Sequence, residues 1–219
     1  MNSEAVIKIW DDYATRTDSS CPSEHLVRFI NSNQLQKQKL RVLELGPGSG
    51  RNSVYLASLG FELTVIDISQ EAIKKTMRAL KNNGYTAAGI VGNILDCTLD
   101  QFDVIIDIST LQHLKLEEIN KAVGMLYKAL SIEGQIFSIS KHRNDTTYQL
   151  GEHLSSAEVY FTAGIPKVQY ETYITYLDKV EINIAYEKFS HLEVNYDEWT
   201  YDNGIARNAH WMIRAKKQK

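Results

Sequence analysis

The feature that most constrains this chain is a run of alternating glycines, Gly46, Gly48 and Gly50, set between two short apolar segments. The first segment, Val42-Leu43-Glu44-Leu45, is too short for a helix and is bounded by glycine, so it reads as a buried strand. Glycine has no Cβ and tolerates positive φ, so the backbone here can turn sharply and let another group approach closely. Arg51–Leu59 then predicts a short helix with Val54, Leu56, Ala57 and Leu59 as its apolar surface, ended by Gly60. A second apolar strand, Leu63–Ile66, stops on Asp67. Strand, glycine turn, helix, strand and acid make one βαβ unit of a doubly wound α/β sheet, which binds ligands outside the carboxyl ends of its strands.

The glycine spacing narrows the ligand to one carrying adenosine. The dinucleotide fingerprint G-x-G-x-x-G places a pyrophosphate on the helix N-terminus. Here the spacing is G-x-G-x-G, Glu44 stands two residues before the first glycine, and neither Asn52 nor Ser53 supplies a third. A carboxylate beside the turn is a poor neighbour for pyrophosphate and a good one for an ammonium group. The string Glu44-Leu45-Gly46-Pro47-Gly48-Ser49-Gly50 resembles motif I, (D/E)-x-G-x-G-x-G, of the class I S-adenosylmethionine-dependent methyltransferases, and the resemblance runs from Leu40 to Ser140. The longer string GSGRNSVYLASLG is similar to the tellurite-resistance type of small-molecule methyltransferase.

The resemblance implies a Rossmann-like, mostly parallel sheet of about seven strands with an antiparallel C-terminal hairpin. It implies S-adenosylmethionine as cofactor, S-adenosylhomocysteine as product and methyl transfer as the activity. Glu44, Gly46, Gly48, Gly50 and Asn52 would pass under the methionine part, and Asp67 with Ile68 would meet the ribose. Asn93 and Ile94 would meet the adenine, with Asp96 as the rival for its amino group. Asp107 and Ser109 would lie beside the sulfonium. No proline follows the fourth strand, whereas methyltransferases of nucleobase amino groups usually carry (N/D/S)-P-P-(Y/F/W) there.

Elsewhere the chain alternates predicted helices and strands. Met1–Thr15 is amphipathic through Val6, Ile9, Trp10 and Tyr13, and reads either as a helix packed on the domain edge or, by resemblance, as a lid over the cofactor. Under the second reading Tyr13 and Arg16 face the cofactor or substrate, and Tyr13 is a candidate catalytic group. Ser69–Asn82 is a helix capped by Ser69, with Ala72, Ile73, Met77 and Leu80 inward. Ala87–Gly92 and Phe102–Ile108 are strands, Leu116–Leu130 a helix, and Gln135–Ser140 a fifth strand after a Glu133-Gly134 turn. Lys141–Val168 breaks the rhythm and shows no strand period, so it is expected to be an irregular substrate-side insertion, with Arg143 and Tyr148 as substrate contacts. Leu177–Phe189 follows as a helix, then His191–Tyr201 and Ala206–Ala215 as strands around an Asp202-Asn203-Gly204 turn. The expected organisation is a single domain: a helical lid over 1–39, a cofactor-binding core over 40–140, the insertion over 141–176, and a final helix and hairpin over 177–219.

Composition bounds the function. A chain of 219 residues with 43% hydrophobic and 23% charged content suits one soluble domain, and a net charge of −3 provides no long-range attraction to nucleic acid. Cys21 and Cys97 form neither a disulfide framework nor a metal-binding spacing, and no signal peptide or membrane-length apolar run is present. The expectation is therefore a cytoplasmic enzyme acting on a small-molecule acceptor, without a metal, a nucleic acid or a membrane. An oxygen or protonated nitrogen acceptor must lose a proton, and His113 is the best-placed base by sequence. His142 and His153 are alternatives, and His210 reads as structural. Methyl transfer to a protein or RNA, and a non-catalytic cofactor-binding subunit, stay open as competing readings.

Overall fold

The computed structural model describes residues 3–162 and 171–218. Contacts divide the chain into two compact units, Met1–Ile106 with Ala129–Ser131, and Asp107–Lys128 with Ile132–Lys219.

In the first unit the helices α1 (Ser3–Arg16) and α2 (Glu24–Ser32) lead into β1 (Arg41–Leu45), α3 (Arg51–Ser58), β2 (Glu62–Asp67), α4 (Gln70–Asn82) and β3 (Ala88–Val91). β1 pairs parallel with β2 from Arg41↔Glu62 to Leu45↔Ile66, and β2 with β3 from Thr64↔Ala88 to Asp67↔Val91. The turns that follow Leu45, Asp67 and Val91 therefore leave from one sheet edge, where helix N-termini and backbone N–H groups collect. Val42, Leu43, Leu56, Val65, Ile66 and Leu80 are buried beneath. β4 (Phe102–Ile108) begins here. Its Asp103 takes both the Nε (3.2 Å) and Nη2 (3.0 Å) hydrogen bonds of Arg41, and Ser131 Oγ donates to the same carboxylate at 2.8 Å.

The second unit contains a short 3-10 turn (Leu111–His113), α5 (Leu116–Ala129) and β5 (Leu130–Lys141) apart from Ala129–Ser131, then β6 (Glu152–His153), β7 (Glu158–Phe161), β8 (Thr172–Thr175), α6 (Lys179–Ala185), β9 (His191–Tyr201) and β10 (Ala206–Lys216). β10 lies antiparallel to β5 from Lys216↔Gln135 to His210↔Lys141, and to β9 along its whole length. Residues 206–209 thus run past the end of β5. The loop after β5 takes that strand's place: Ala209 N donates to Asp145 Oδ2 (3.1 Å) and Arg207 N to Thr146 Oγ1 (2.7 Å). At the hairpin tip Asp202, Asn203 and Gly204 all take positive φ, as expected of a turn built from these residues.

The strand order is β3-β2-β1-β4-β5-β10-β9, a mostly parallel α/β sheet ending in an antiparallel hairpin, as the sequence leads one to expect. Three expectations need correction. The stretch after Lys141 is not irregular: β6, β7 and β8 form a separate antiparallel sheet over a small core of Val159, Phe161, Ile174 and Tyr176. Strands of two to four residues are too short to show a period, and their partners are distant in sequence. Positions 163–168 of the expected insertion, and the first two residues of the expected first helix, lie outside the described residues. The final helix is shorter than expected: a capping box of Asp178 and Glu181 starts it at Lys179, and it ends at Ala185. β5 starts at Leu130, with Glu133 (φ 65°) as a left-handed residue inside the strand. Among the described residues no helix is long and apolar enough to cross a membrane.

Candidate active site

The three glycines of the first unit do different work. All take positive φ, at 58°, 57° and 82° for Gly46, Gly48 and Gly50. A Cβ on Gly50 would stand 2.9 Å from the Thr76 Cα, so this glycine lets the turn pack against α4. A Cβ on Gly48 would meet nothing within 4 Å. Gly48 therefore borders open space, and its bare backbone is what a ligand would meet there.

Beneath the turn, Glu44 is 1% exposed and accepts from Ser53 Oγ at 2.5 Å and from the Asn52 side chain. Asn52 in turn accepts from Ser23 N at 2.8 Å. Burial pushes the Glu44 carboxyl up to about 7 against the lowering effect of these donors. Both residues brace the turn from inside the unit.

Asp67 ends β2 half-buried. Its Oδ1 accepts from Ser69 N at 2.8 Å, and the backbone N–H groups of Gly48 and Ile68 also donate to it. Burial first, and the nearby Asp11 charge in addition, raise its pKa to about 6. Sequence reasoning missed Asp11. Its Oδ1 accepts from Ser69 Oγ (2.6 Å) and Glu71 N (3.2 Å), so α1 supplies an acid to the N-terminus of α4, beside Asp67. Lys75 donates to the Ala14 carbonyl (3.2 Å) and to that of Thr17, pinning the other end of α1. Tyr13 lies half-buried on this helix, its ring 5.7 Å from Trp10, while Arg16 is exposed and paired with Asp12. Past β3, Asn93 Oδ1 accepts from Leu95 N at 3.0 Å, which folds the loop that also holds Ile94. Asp96 is exposed.

The second unit brings together Asp107, Ser109 and His113. Asp107 is fully buried: Oδ1 accepts from Thr110 N (3.0 Å) and Leu111 N (3.1 Å), and Oδ2 from Ser138 Oγ at 2.5 Å. Burial raises its pKa to about 6. It caps the turn that presents Ser109 and His113. Ser109 holds φ 63°, a conformation that costs a non-glycine residue on the order of 1–3 kcal/mol. His113 Nδ1 sits 3.4 Å from the Tyr173 carbonyl, which can only accept, so Nδ1 carries the hydrogen in that contact. Burial, with the Lys141 charge as a lesser cause, lowers its pKa to about 4, so the ring is neutral at physiological pH.

Arg143 and Tyr148 are engaged inside this unit. Arg143 donates from Nε to the Tyr176 carbonyl (3.0 Å), from Nη1 to Asp178 (3.0 Å) and from Nη2 to both Glu181 oxygens (2.8 Å each). The guanidinium thereby staples the start of α6. Tyr148 donates to the Ser156 carbonyl at 2.8 Å and packs edge-on against Tyr176 and His153. His142 packs against the rings of Trp211 and Tyr196, at 4.4 and 4.5 Å, and His210 is buried against Trp199. Among the described residues no group of His, Cys, Asp or Glu is arranged to hold a metal ion.

A family model described as a methyltransferase domain matches residues 42–134. An uncharacterized methyltransferase of Staphylococcus carnosus is 26% identical over 187 residues, covering 80% of this chain and 86% of the relative. A ubiquinone biosynthesis O-methyltransferase of Rickettsia felis is 26% identical over 198 residues, covering 84% of this chain and 78% of the relative. The fold also matches the crystal structure of TehB from Haemophilus influenzae with a TM-score of 0.66 at 16% identity, over 95% of this chain and 67% of that one.

Proposed function

We propose that the chain is a class I S-adenosylmethionine-dependent methyltransferase and that it methylates an oxygen, nitrogen or sulfur atom of a small metabolite, a reading supported by the methyltransferase-domain match and the methyltransferase relatives. The observation that carries the cofactor part is Gly48, whose backbone opens on free space while Asp67 takes its N–H and Glu44 lies buried beneath the turn. The methionine part would lie over Gly46–Gly50, the ribose hydroxyls on Asp67, and the adenine against Asn93 and Ile94. When bound, the cofactor supplies a methyl group on a sulfonium, a carbon already activated for in-line displacement.

What remains for the protein is to bind, align and exclude water. Asp67 is poised to accept hydroxyl hydrogens, since donors to its carboxylate offset the burial that raises its pKa. Asp107 is too enclosed to touch a ligand, and its part is to hold the backbone of Ser109 and His113. His113, neutral, is the group to take the acceptor's proton. Arg143 is assigned to structure rather than substrate, because its donors are engaged by Tyr176, Asp178 and Glu181. The name of the Rickettsia relative favours an oxygen acceptor on a small molecule, and the likeness to TehB fits the resemblance of GSGRNSVYLASLG to the tellurite-resistance type.

The test is to incubate the protein with methyl-labelled S-adenosylmethionine and three fractions: small metabolites, RNA and protein. Label in the low-mass fraction, with release of S-adenosylhomocysteine, is the expected result. Label in RNA or protein overturns the small-acceptor reading. Cofactor binding with no transfer to any fraction would make the chain a non-catalytic subunit.

A further inference from the structure

The second unit holds a contact set that the proposed reaction does not require on its face. The 3-10 turn Leu111–His113 is capped upstream by Asp107, but downstream Leu114 leaves it in extended conformation. Three closely spaced residues there are held from the small sheet. The Tyr173 carbonyl of β8 meets His113 Nδ1 at 3.4 Å, and Thr175 Oγ1, two residues on, donates to the Leu114 carbonyl at 2.6 Å. Glu158 Oε1 of β7 then accepts from Leu116 N at 2.9 Å, the first residue of α5. A fourth tie joins Tyr173 OH to Glu118 at 3.4 Å. Thr175 is fully buried, and β7 and β8 are stiffened by the core of Val159, Phe161, Ile174 and Tyr176.

We propose that the β6–β8 sheet is the positioning element for His113, with Thr175 and Glu158 as the residues that hold its turn against β8. The clamp acts in two ways. It orients the imidazole by giving Nδ1–H a fixed acceptor, so the lone pair lies on Nε2. It also holds the ring partly buried, and loss of water around the ring disfavours its charged form. Among the charged groups, Lys141 at the end of β5 acts on the ring, while Glu118 on α5 and Glu158 on β7 act on the Tyr173 phenol of β8. Of these, the lysine disfavours the imidazolium. In the reaction the methyl–sulfur bond breaks with its electron pair left on sulfur, and the methyl–acceptor bond forms. The acceptor's proton passes to His113 Nε2 and then to water. A loosened clamp lets water reach the ring and turns it away from that proton.

The inference rests on the reading of the chain as a methyltransferase with His113 as base, so wild type and His113→Ala are measured first. If cofactor binds and wild type transfers methyl, but His113→Ala keeps its kcat, the base assignment fails and the positioning claim with it. The direct test follows the His113 ring by NMR titration in Thr175→Val, Thr175→Ser and Glu158→Gln. In Thr175→Val its pKa should rise from about 4 toward the ordinary value of about 6.5. kcat with the acceptor that the labelling experiment identifies should fall about tenfold or more, with S-adenosylhomocysteine affinity unchanged. Thr175→Ser, which keeps the hydroxyl, should match wild type in both. Glu158→Gln should move the titration in the same direction by less, and it decides the matter if Thr175→Val does not fold. A folded variant whose His113 titrates as in wild type overturns the proposal, even if its kcat is reduced.

Discussion

Glu44, Asp67 and Asp107 are all held above the ordinary carboxylate range, each mainly by burial. With a raised pKa the folded chain binds more protons than the unfolded chain between the two values, so stability falls as pH rises through that window. The contribution is fully present below about 4 and is lost as pH climbs to about 6 for Asp67 and Asp107, and to about 7 for Glu44. Asn at 107 can accept from Thr110 N and Leu111 N as the protonated acid does, and can still meet Ser138 Oγ. Asp107→Asn should therefore fold and flatten the decline in urea midpoint between pH 4 and pH 6, and an unchanged decline would refute the account. On the ligand side, Gly48→Val should abolish S-adenosylhomocysteine binding in calorimetry while circular dichroism stays native. Asp67→Ala should cost roughly 1.5–3 kcal/mol of binding, about ten- to hundredfold in Kd. Unchanged affinity would reduce Asp67 to a bracket for Ser69 and Gly48. The sequence singles out these positions because residue type and spacing are themselves the signal. It does not single out Asp11, since the donor it serves, Ser69, lies 58 residues away and nothing local marks the pair.

At the scale of elements, helices and strands with a full period read correctly, and α4 and the terminal hairpin are the clearest cases. α4 carries its own cap and stripe, and the hairpin its own turn. The short strands β6 to β8 fail that condition, because what makes them strands is the partner across the sheet. Arg143 shows the same limit from another side. An arginine in a polar stretch reads as a receptor for an anion, and here the anions are Asp178 and Glu181 of the same chain. Arg143→Met should lower stability by about 1–2 kcal/mol in urea titration, allowing for screening at its partly exposed end. KM for acceptor should stay put. A rise in KM with unchanged stability would restore Arg143 as a substrate contact.

For the whole molecule, the mostly parallel sheet of about seven strands with its antiparallel hairpin could be anticipated from the alternation of elements plus the family resemblance, whereas the division into two units could not. No linker composition marks it, because the boundary falls inside β4, between Ile106 and Asp107. Cofactor binding should appear at this scale too: S-adenosylhomocysteine at a hundred times its Kd should stabilise the fold by about 2.7 kcal/mol, read as a rise in Tm that Gly48→Val lacks. The same boundary has a consequence for how the chain is made. Ala129–Ser131 belong with the first unit, and Ser131 completes the bonds around Asp103, 28 residues earlier. On the ribosome the first unit therefore waits for its last hydroxyl, for a time on the order of seconds at ordinary elongation rates. During that wait Asp103 is held by Arg41, and a translational pause just before Ser131 would lengthen the wait.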